Sequence, residues 1–387
     1  MNRLEYLFSP VAIRERCQKV MNFTQKGEGL FNLHLDKLEA VAALVEKITL
    51  EKYTDFSQIP FHSRFRHFEV NGVDLTTELY LDLKSNTDLV VVSVLLDAGA
   101  GPDWKYRSES GQIFSRSEGL AIASLEMFKH GLFSSDTNNP FQVNADRLQE
   151  LKISDLESGM QVSGINPLNG LAGRVELLNN LGLRLSELYG QKARAGDLSL
   201  NWSESKVAAD KVLNDLLVAL GPIWPSRFFM EETPLGDVWP HSKLSSIGSF
   251  ESYIPFHKLT QWLSYSLFEA LIRSGKEILG IEKLTGLPEY RNGGLFLDSG
   301  VLSLKDPTHL KQEHLPSSEL IIEWRALTVI LLDQLGNLIR TRQKMSEAEL
   351  PLVKILEGGT WWAGRSLAAQ MRGGKPPLNI QSDGTVF

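Results

Sequence analysis

Apolar residues recur every third or fourth position along most of this chain, and that spacing constrains the fold more than any other feature. A period of about 3.6 residues is the mark of amphipathic helices, which bury one stripe and leave the rest to water. Segment 35–50 puts Leu35, Leu38, Val41, Val45 and Ile48 on one face. Segment 171–188 does so with Leu171, Val175, Leu178, Leu181, Leu185 and Leu188, and 205–220 with Ala209, Val212, Leu213, Leu216, Leu217 and Leu220. Segment 257–274 carries Leu259, Trp262, Leu263, Leu267 and Leu271 and meets Gly275, a natural helix stop. The longest helix is predicted over 318–342. Capping boxes are expected at Ser115 with Glu118 and at Asn201 with Glu204. Strand signals are few. Residues 64–70 alternate and end at Asn71-Gly72, a hairpin turn, and 295–304 has the pattern of a short β ribbon. The expected fold class is mainly α, multi-helical, with minor β.

The turn-rich stretches 133–141, 164–170, 221–227 and 232–255 connect these segments, the last with Pro234, Pro240 and Pro255. None reads as a flexible linker. The expectation is one helical body over 1–387, with an N-terminal lobe at 1–140 and a C-terminal lobe at 141–387. Hydrophobic residues at 42% support a substantial core, and 22% charged residues exclude a disordered chain. A net charge of −7 argues against nucleic acid as a partner, while a local arginine pocket still allows a small anion. The single cysteine, Cys17, permits no internal disulfide and sits in an amphipathic stretch, so a buried inert thiol is expected. Residues 1–10 lack the apolar core of a secretory signal, and the apolar runs are too short for a bilayer. A soluble cytoplasmic protein without a membrane partner is expected.

Chemistry concentrates in four places. Residues 286–298 pack Glu289, Tyr290, Arg291, Asn292 and Asp298 around a Gly-Gly pair between apolar runs. Polar groups among apolar walls are costly unless paired, so a site or a structural ion pair is implied. Within residues 88–104 the helix candidate is apolar all round from Leu89 to Leu96, and Asp97 appears at its end, at the negative end of a helix dipole, where a cation, a ligand or a simple capping role would justify it. Gly99, Gly101 and Pro102 follow, then Asp103 and Trp104, a second carboxylate and a stacking face. Residues 318–332 place Glu323 and Arg325 inside an apolar helix, where Glu323 is expected to meet a cation such as Arg291 or to orient a water, or both to join a structural network. Residues 355–372 hold Gly358-Gly359-Thr360 before a helix, with Thr360 as N-cap, Arg365 a turn on, and free N–H groups suited to phosphate; a plain break between two helices is the alternative. His241 and His257 lie in the long loop region and are candidates to face a pocket. No metal-ligand spacing, dinucleotide fingerprint, P-loop or nucleophile elbow occurs, so no cofactor and no metal are expected.

The strings SVLLDAGAGPDWKY, RSEGLA, GPIWPSR, LGDVWPHS, PFHKLTQWLSYSL, LTGLPEYRNGGLFLDSGVL, EWRALTV, LEGGTWWAGR and SDGTVF cover nearly the whole chain. In them the chain resembles the uracil catabolism protein 4 family. That resemblance implies a role in non-reductive uracil breakdown, near a ribosylurea-type intermediate that yields urea. A fainter likeness joins Glu289-Tyr290-Arg291, and Asp97 followed by Trp104, to queuosine-nucleotide N-glycosylases and their helical DNA-glycosylase-like fold. Those enzymes have Asp where this chain has Glu289. The resemblance implies an N-ribosyl hydrolase acting on a nucleoside- or nucleotide-derived small molecule, with other enzymes of the pathway as candidate partners. Glycoside chemistry wants carboxylates at the anomeric carbon, and Glu289 and Asp97 are the expected catalytic pair. Asp298 and Asp103 are expected at ribose hydroxyls, Arg291 and Arg365 at a phosphate, and Trp104 or Trp262 over the sugar or base. Tyr290, Asn292, His241, His257, Glu323 and Arg325 complete the expected binding set. The alternative is a non-catalytic nucleotide-binding, regulatory or channelling protein of the same pathway.

Overall fold

The structure is a computed structural model that describes residues 2–97, 99–101, 103–224 and 227–381. Its longer helices are α1 (Pro10–Gln25), α2 (Leu38–Lys52), α3 (Leu83–Leu95), α4 (Arg116–Lys129), α5 (Leu171–Tyr189), α6 (Ala209–Leu220), α7 (Lys258–Arg273), α8 (Tyr290–Asp298), α9 (Glu319–Gln343) and α10 (Trp361–Arg372). Strands are short and pair only in twos, so they clip loops and build no sheet core. Phe31–Leu33 pairs antiparallel with Leu302–Leu304, and Val238–Pro240 with Tyr253–Pro255. Lys206–Ala208 runs parallel to Glu277–Leu279. The fold is mainly α.

Local chemistry explains the helix starts. The Ser9 hydroxyl accepts the Ala12 N–H at 3.2 Å, and Pro10 takes the first turn of α1, where its missing N–H costs nothing. Asp82 caps α3 by accepting the Ser85 N–H at 2.7 Å. Residues 85–95 of α3 are then buried on every side: the run from Leu89 to Leu95 is apolar but for Ser93, and the buried Asp88 before it is paired with Arg194. In α9 the run Leu320–Leu332 is likewise buried all round.

The chain forms two compact units that interleave in sequence. The first takes the described residues of Met1–His62, Asp237–Gln261 and Gly280–Gln381; the second takes those of Ser63–Gly236 and Trp262–Leu279. Each unit draws on residues from both sides of position 140. In the first, α9 packs on α1, α2 and α8, and α8 on α10. In the second, α3 is covered by α4, by α5 and by the 3-10 turns of Ala195–Trp202.

Several local expectations are corrected. Residues 64–68 form a 3-10 helix, and only Glu69–Val70 joins a hairpin across Asn71-Gly72. Phe65 and Phe68, three apart, are both fully buried, a spacing that suits a 3-10 turn and not a strand. Residues 295–298 belong to α8, so the ribbon shrinks to Leu302–Leu304. Ser115 does occupy the N-cap of α4 but makes no capping bond, and Asn201 lies inside the 3-10 segment, while the N-cap position of α6 falls to Ala208, which makes no side-chain capping bond. Gly275 ends α7 in the left-handed region, φ +88°, as a glycine stop should.

The Gly358-Gly359 pair does not break a helix. Residues 352–355, the π-helical 356–360 and α10 follow one another directly, and Thr360 has helical dihedrals and no capping bond. The free N–H groups expected there for a phosphate are absent. Glycine is needed for close packing on α2: a Cβ on Gly359 would stand 2.5 Å from Val45 Cγ1 and 2.7 Å from the Val45 carbonyl oxygen.

Candidate functional site

In the second unit, the end of α3 presents Asp97. Its N–H bonds the Val94 carbonyl at 3.0 Å, so the carboxylate emerges two residues past the helix. The loop beyond is tied by Arg174 of α5, fully buried, whose Nε donates to Leu96 O at 3.0 Å and Nη2 to Gly99 O at 3.3 Å, with a further short bond to Asn169 O. Burial pushes the Arg174 guanidinium down to about 10, against the pull of Asp97. Pro102, expected in this turn, lies outside the described residues.

The cation that Asp97 requires is Arg64, fully buried, its Nη1 3.3 Å from Asp97 Oδ2. The Ser117 hydroxyl donates to the same oxygen at 2.7 Å. Arg64 Nε donates to Ser93 Oγ at 2.6 Å, and its guanidinium stands 5.5 Å from the Trp262 ring centre. Burial lowers the Arg64 pKa, while Asp97 and then Glu118 oppose it. His67 Nδ1 lies 3.1 Å from Ser117 Oγ, and its ring is 5.8 Å from that of Trp262. No hydrogen bond among the described residues reaches Asp97 Oδ1, and the side chain keeps 10% exposure. One oxygen is thus gripped and the other is available.

In the first unit, Glu289 is the N-cap of α8. Its Oε2 accepts the Arg291 N–H at 2.7 Å and its Oε1 the Asn292 N–H at 2.6 Å. Burial raises its pKa; those two bonds and the charges of Lys258 and Arg291 oppose the rise. Asn292 reads both ways, donating to Leu287 O at 3.1 Å and accepting from the Thr360 hydroxyl at 2.9 Å. Arg291 is buried, donates to Gly374 O at 3.2 Å and lies 4.8 Å from the Tyr290 ring, itself half-buried. Asp298 accepts from Arg372 at 2.6 Å.

Glu323 does not meet Arg291. Its Oε2 accepts the Leu30 N–H at 2.7 Å, and its Oε1 lies 3.3 Å from Nε2 of the fully buried His241. Arg325 pairs instead with Asp237 by two parallel bonds of 2.7 Å. Burial alone would raise the Asp237 carboxyl; Arg325, with the Trp239 indole and the Lys258 N–H, outweighs it and holds the group at about 2. His257 is also buried and meets Leu7 O at 2.9 Å. Neither histidine faces an open pocket. Trp104 is a core residue, its indole bonded to Met160 O at 2.9 Å, while Asp103 is exposed. Arg365 stands 5.3 Å from both Trp361 and Trp362.

The structure therefore joins Asp97 and Trp262 in one cluster of the second unit. It distributes Glu289, Glu323 and Arg325 among separate polar groupings of the first. Sequence reasoning missed Arg64, His67, Ser117 and Arg174 around Asp97. Arg64 and His67 lay in a stretch read as a strand; Ser117 belonged to the noted string RSEGLA. It also missed Asp237, although LGDVWPHS had been marked, and the His62–Glu357 pair. Among the described residues no three His, Cys, Asp or Glu side chains converge as a metal site would need, and no helix is long and apolar enough to cross a membrane.

These features define a mainly helical protein with an oriented, partly open carboxylate and several internally satisfied ion pairs. The chain belongs to the DUF1688 family, described as a protein of unknown function, which matches residues 6–387. It is 38% identical over 440 residues to "Uracil catabolism protein 4" of Lachancea kluyveri, covering 100% of this chain and 99% of the relative. It is 41% identical over 414 residues to "Protein urg3" of Schizosaccharomyces pombe, covering 98% of each.

Proposed function

We propose that this protein acts in uracil catabolism and hydrolyses the N-ribosyl bond of a ribosylurea-type intermediate, with Asp97 as the working carboxylate. The pathway rests on the name of the Lachancea relative and its full-length match. The chemistry rests on one observation: Asp97 Oδ2 is held by Ser117 and Arg64 while Oδ1 is unbonded among the described residues. Glu289, by contrast, has both oxygens engaged at the start of α8, so its part in this reading is to fix Tyr290, Arg291 and Asn292.

Breaking a C1′–N bond builds positive charge on the sugar, and a fixed carboxylate stabilises it. A water oxygen bonds to C1′ as the C1′–N bond breaks. The water's proton passes to Asp97 Oδ1, and the departing urea nitrogen gains a proton. His67, beside Ser117, is assigned that second proton. Ser117 and Arg64 hold the carboxylate in place and aim it. Trp262, buried, backs the Arg64 guanidinium, and Arg174 holds the loop in place.

The test is urea release from ribosylurea 5-phosphate by the purified chain. Wild type is expected to turn over, and Asp97→Asn to lose about a thousandfold, with thermal melting confirming that the variant is folded. No urea at high enzyme concentration, or full rate in the variant, removes the assignment.

A further inference from the structure

We propose that the second unit carries a further ligand site, a hollow between α4 and the short helix Ile153–Gly159 that takes a small aliphatic ammonium ion. The hollow has a volume of about 360 Å³, within the range of small-molecule sites. Close packing fixes its walls. A Cβ on Gly159 would collide with Met127 Sδ of α4, so this glycine lets the two helices approach. Gln161, also on the lining, is pinned through both amide atoms: Oε1 accepts the Arg107 N–H at 3.0 Å and Nε2 donates to Arg107 O at 2.8 Å.

Glu126 is the group that points to a ligand. It lines the hollow, is 9% exposed, and pairs with no lysine, arginine or histidine among the described residues. Its Oε2 accepts the Tyr106 hydroxyl at 2.7 Å and its Oε1 the Glu109 N–H at 3.0 Å. Two neutral donors hold the carboxylate in place and leave its charge unbalanced, and a buried charge calls for a counter-charge. The buried Tyr106 senses it. Burial raises the phenol pKa, and the bond to Glu126, then the charges of Glu126 and Glu109, raise it further. The bases of this region are engaged elsewhere: Lys129 and His130 hold Glu109 at 3.0 and 2.9 Å, and Arg147 meets Asp155 Oδ2 at 3.3 Å. Asp155 Oδ1 and the hydroxyls of Ser154 and Ser158, also on the lining, carry no hydrogen bond among the described residues. The hollow thus sets a buried negative charge behind open acceptors, with Met127 and Leu132 as apolar wall. An alkylammonium matches it, with three N–H donors and a positive charge on an apolar stem. The site does not depend on the hydrolytic reading and stands if Asp97 proves inert.

The experiment titrates the full chain with putrescine, with its neutral counterpart 1,4-butanediol and with magnesium chloride, by calorimetry in an amine-free buffer. Putrescine is expected to bind saturably, at least about tenfold tighter than the diol or the metal. Glu126→Gln should weaken it about tenfold or more. Ser158→Phe, at an exposed position whose hydroxyl bonds nothing, fills the hollow; it should abolish binding while the melting temperature holds, and it carries the test if the Glu126 variant does not fold. Asp97→Asn should bind as wild type does, so failure here and failure of turnover are read apart. No saturable binding at about ten millimolar putrescine, diol or magnesium as tight as the amine, wild-type affinity in folded Ser158→Phe, or loss of binding in Asp97→Asn would each overturn the proposal.

Discussion

Replacing Asp237 with asparagine gives the sharpest test of the energetics. The Asp237 carboxylate holds Arg325 in a two-bond fork, with Arg325 1% and Asp237 16% exposed by side chain. The fold lowers the Asp237 pKa from 3.8 to about 2. At roughly 1.4 kcal/mol per unit, that is on the order of 2–3 kcal/mol of stability from ionising this group in place. Because the folded value lies below the unfolded one, the contribution is present above about pH 4 and disappears as pH falls through about 2. The asparagine variant also strands a buried guanidinium, a loss of about 3–5 kcal/mol at neutral pH. Urea unfolding of both proteins at pH 7, 5, 3.5 and 2.5 should show a gap that is widest at neutral pH and narrows by about 2 kcal/mol at the acid end. A gap that stays constant with pH would mean that Asp237 is not ionised against Arg325, and the reasoning would fail.

Gly359→Ala should destabilise by about 1–3 kcal/mol, since its Cβ would press on Val45 at 2.5 Å; an unchanged denaturation midpoint would refute the close approach. Asp82→Ala removes the cap bonded to Ser85 and should cost about 1 kcal/mol by the same assay. Lys206→Ala breaks an ion pair whose partners are both more than half exposed, 63% and 55%, and should leave the midpoint nearly unmoved. Arg174→Met frees the loop after α3, so kcat for urea release should fall while KM changes less, if Asp97 works as proposed.

The sequence by itself determined the long helices and most of the faces they bury, although Leu35 and Leu188, expected on those faces, are exposed. Leu38, Val41 and Val45 of α2, and the all-round apolar run of α3, sit in the core because water expels those stripes whatever packs against them. Cys17 is buried for the same reason, and burial raises its thiol pKa. Local signals misled where a pattern had two solutions: residues 64–70 alternate like a strand, yet Phe65 and Phe68 bury equally well from a 3-10 turn, and that turn is what sends Arg64 inward. Only the tertiary structure decided which charge meets which. Asp97 finds Arg64, 33 positions away along the chain, while Asp237 and not Glu323 takes Arg325. A buried ion selects its partner by three-dimensional proximity under a large desolvation cost, and no periodicity along a chain records that choice.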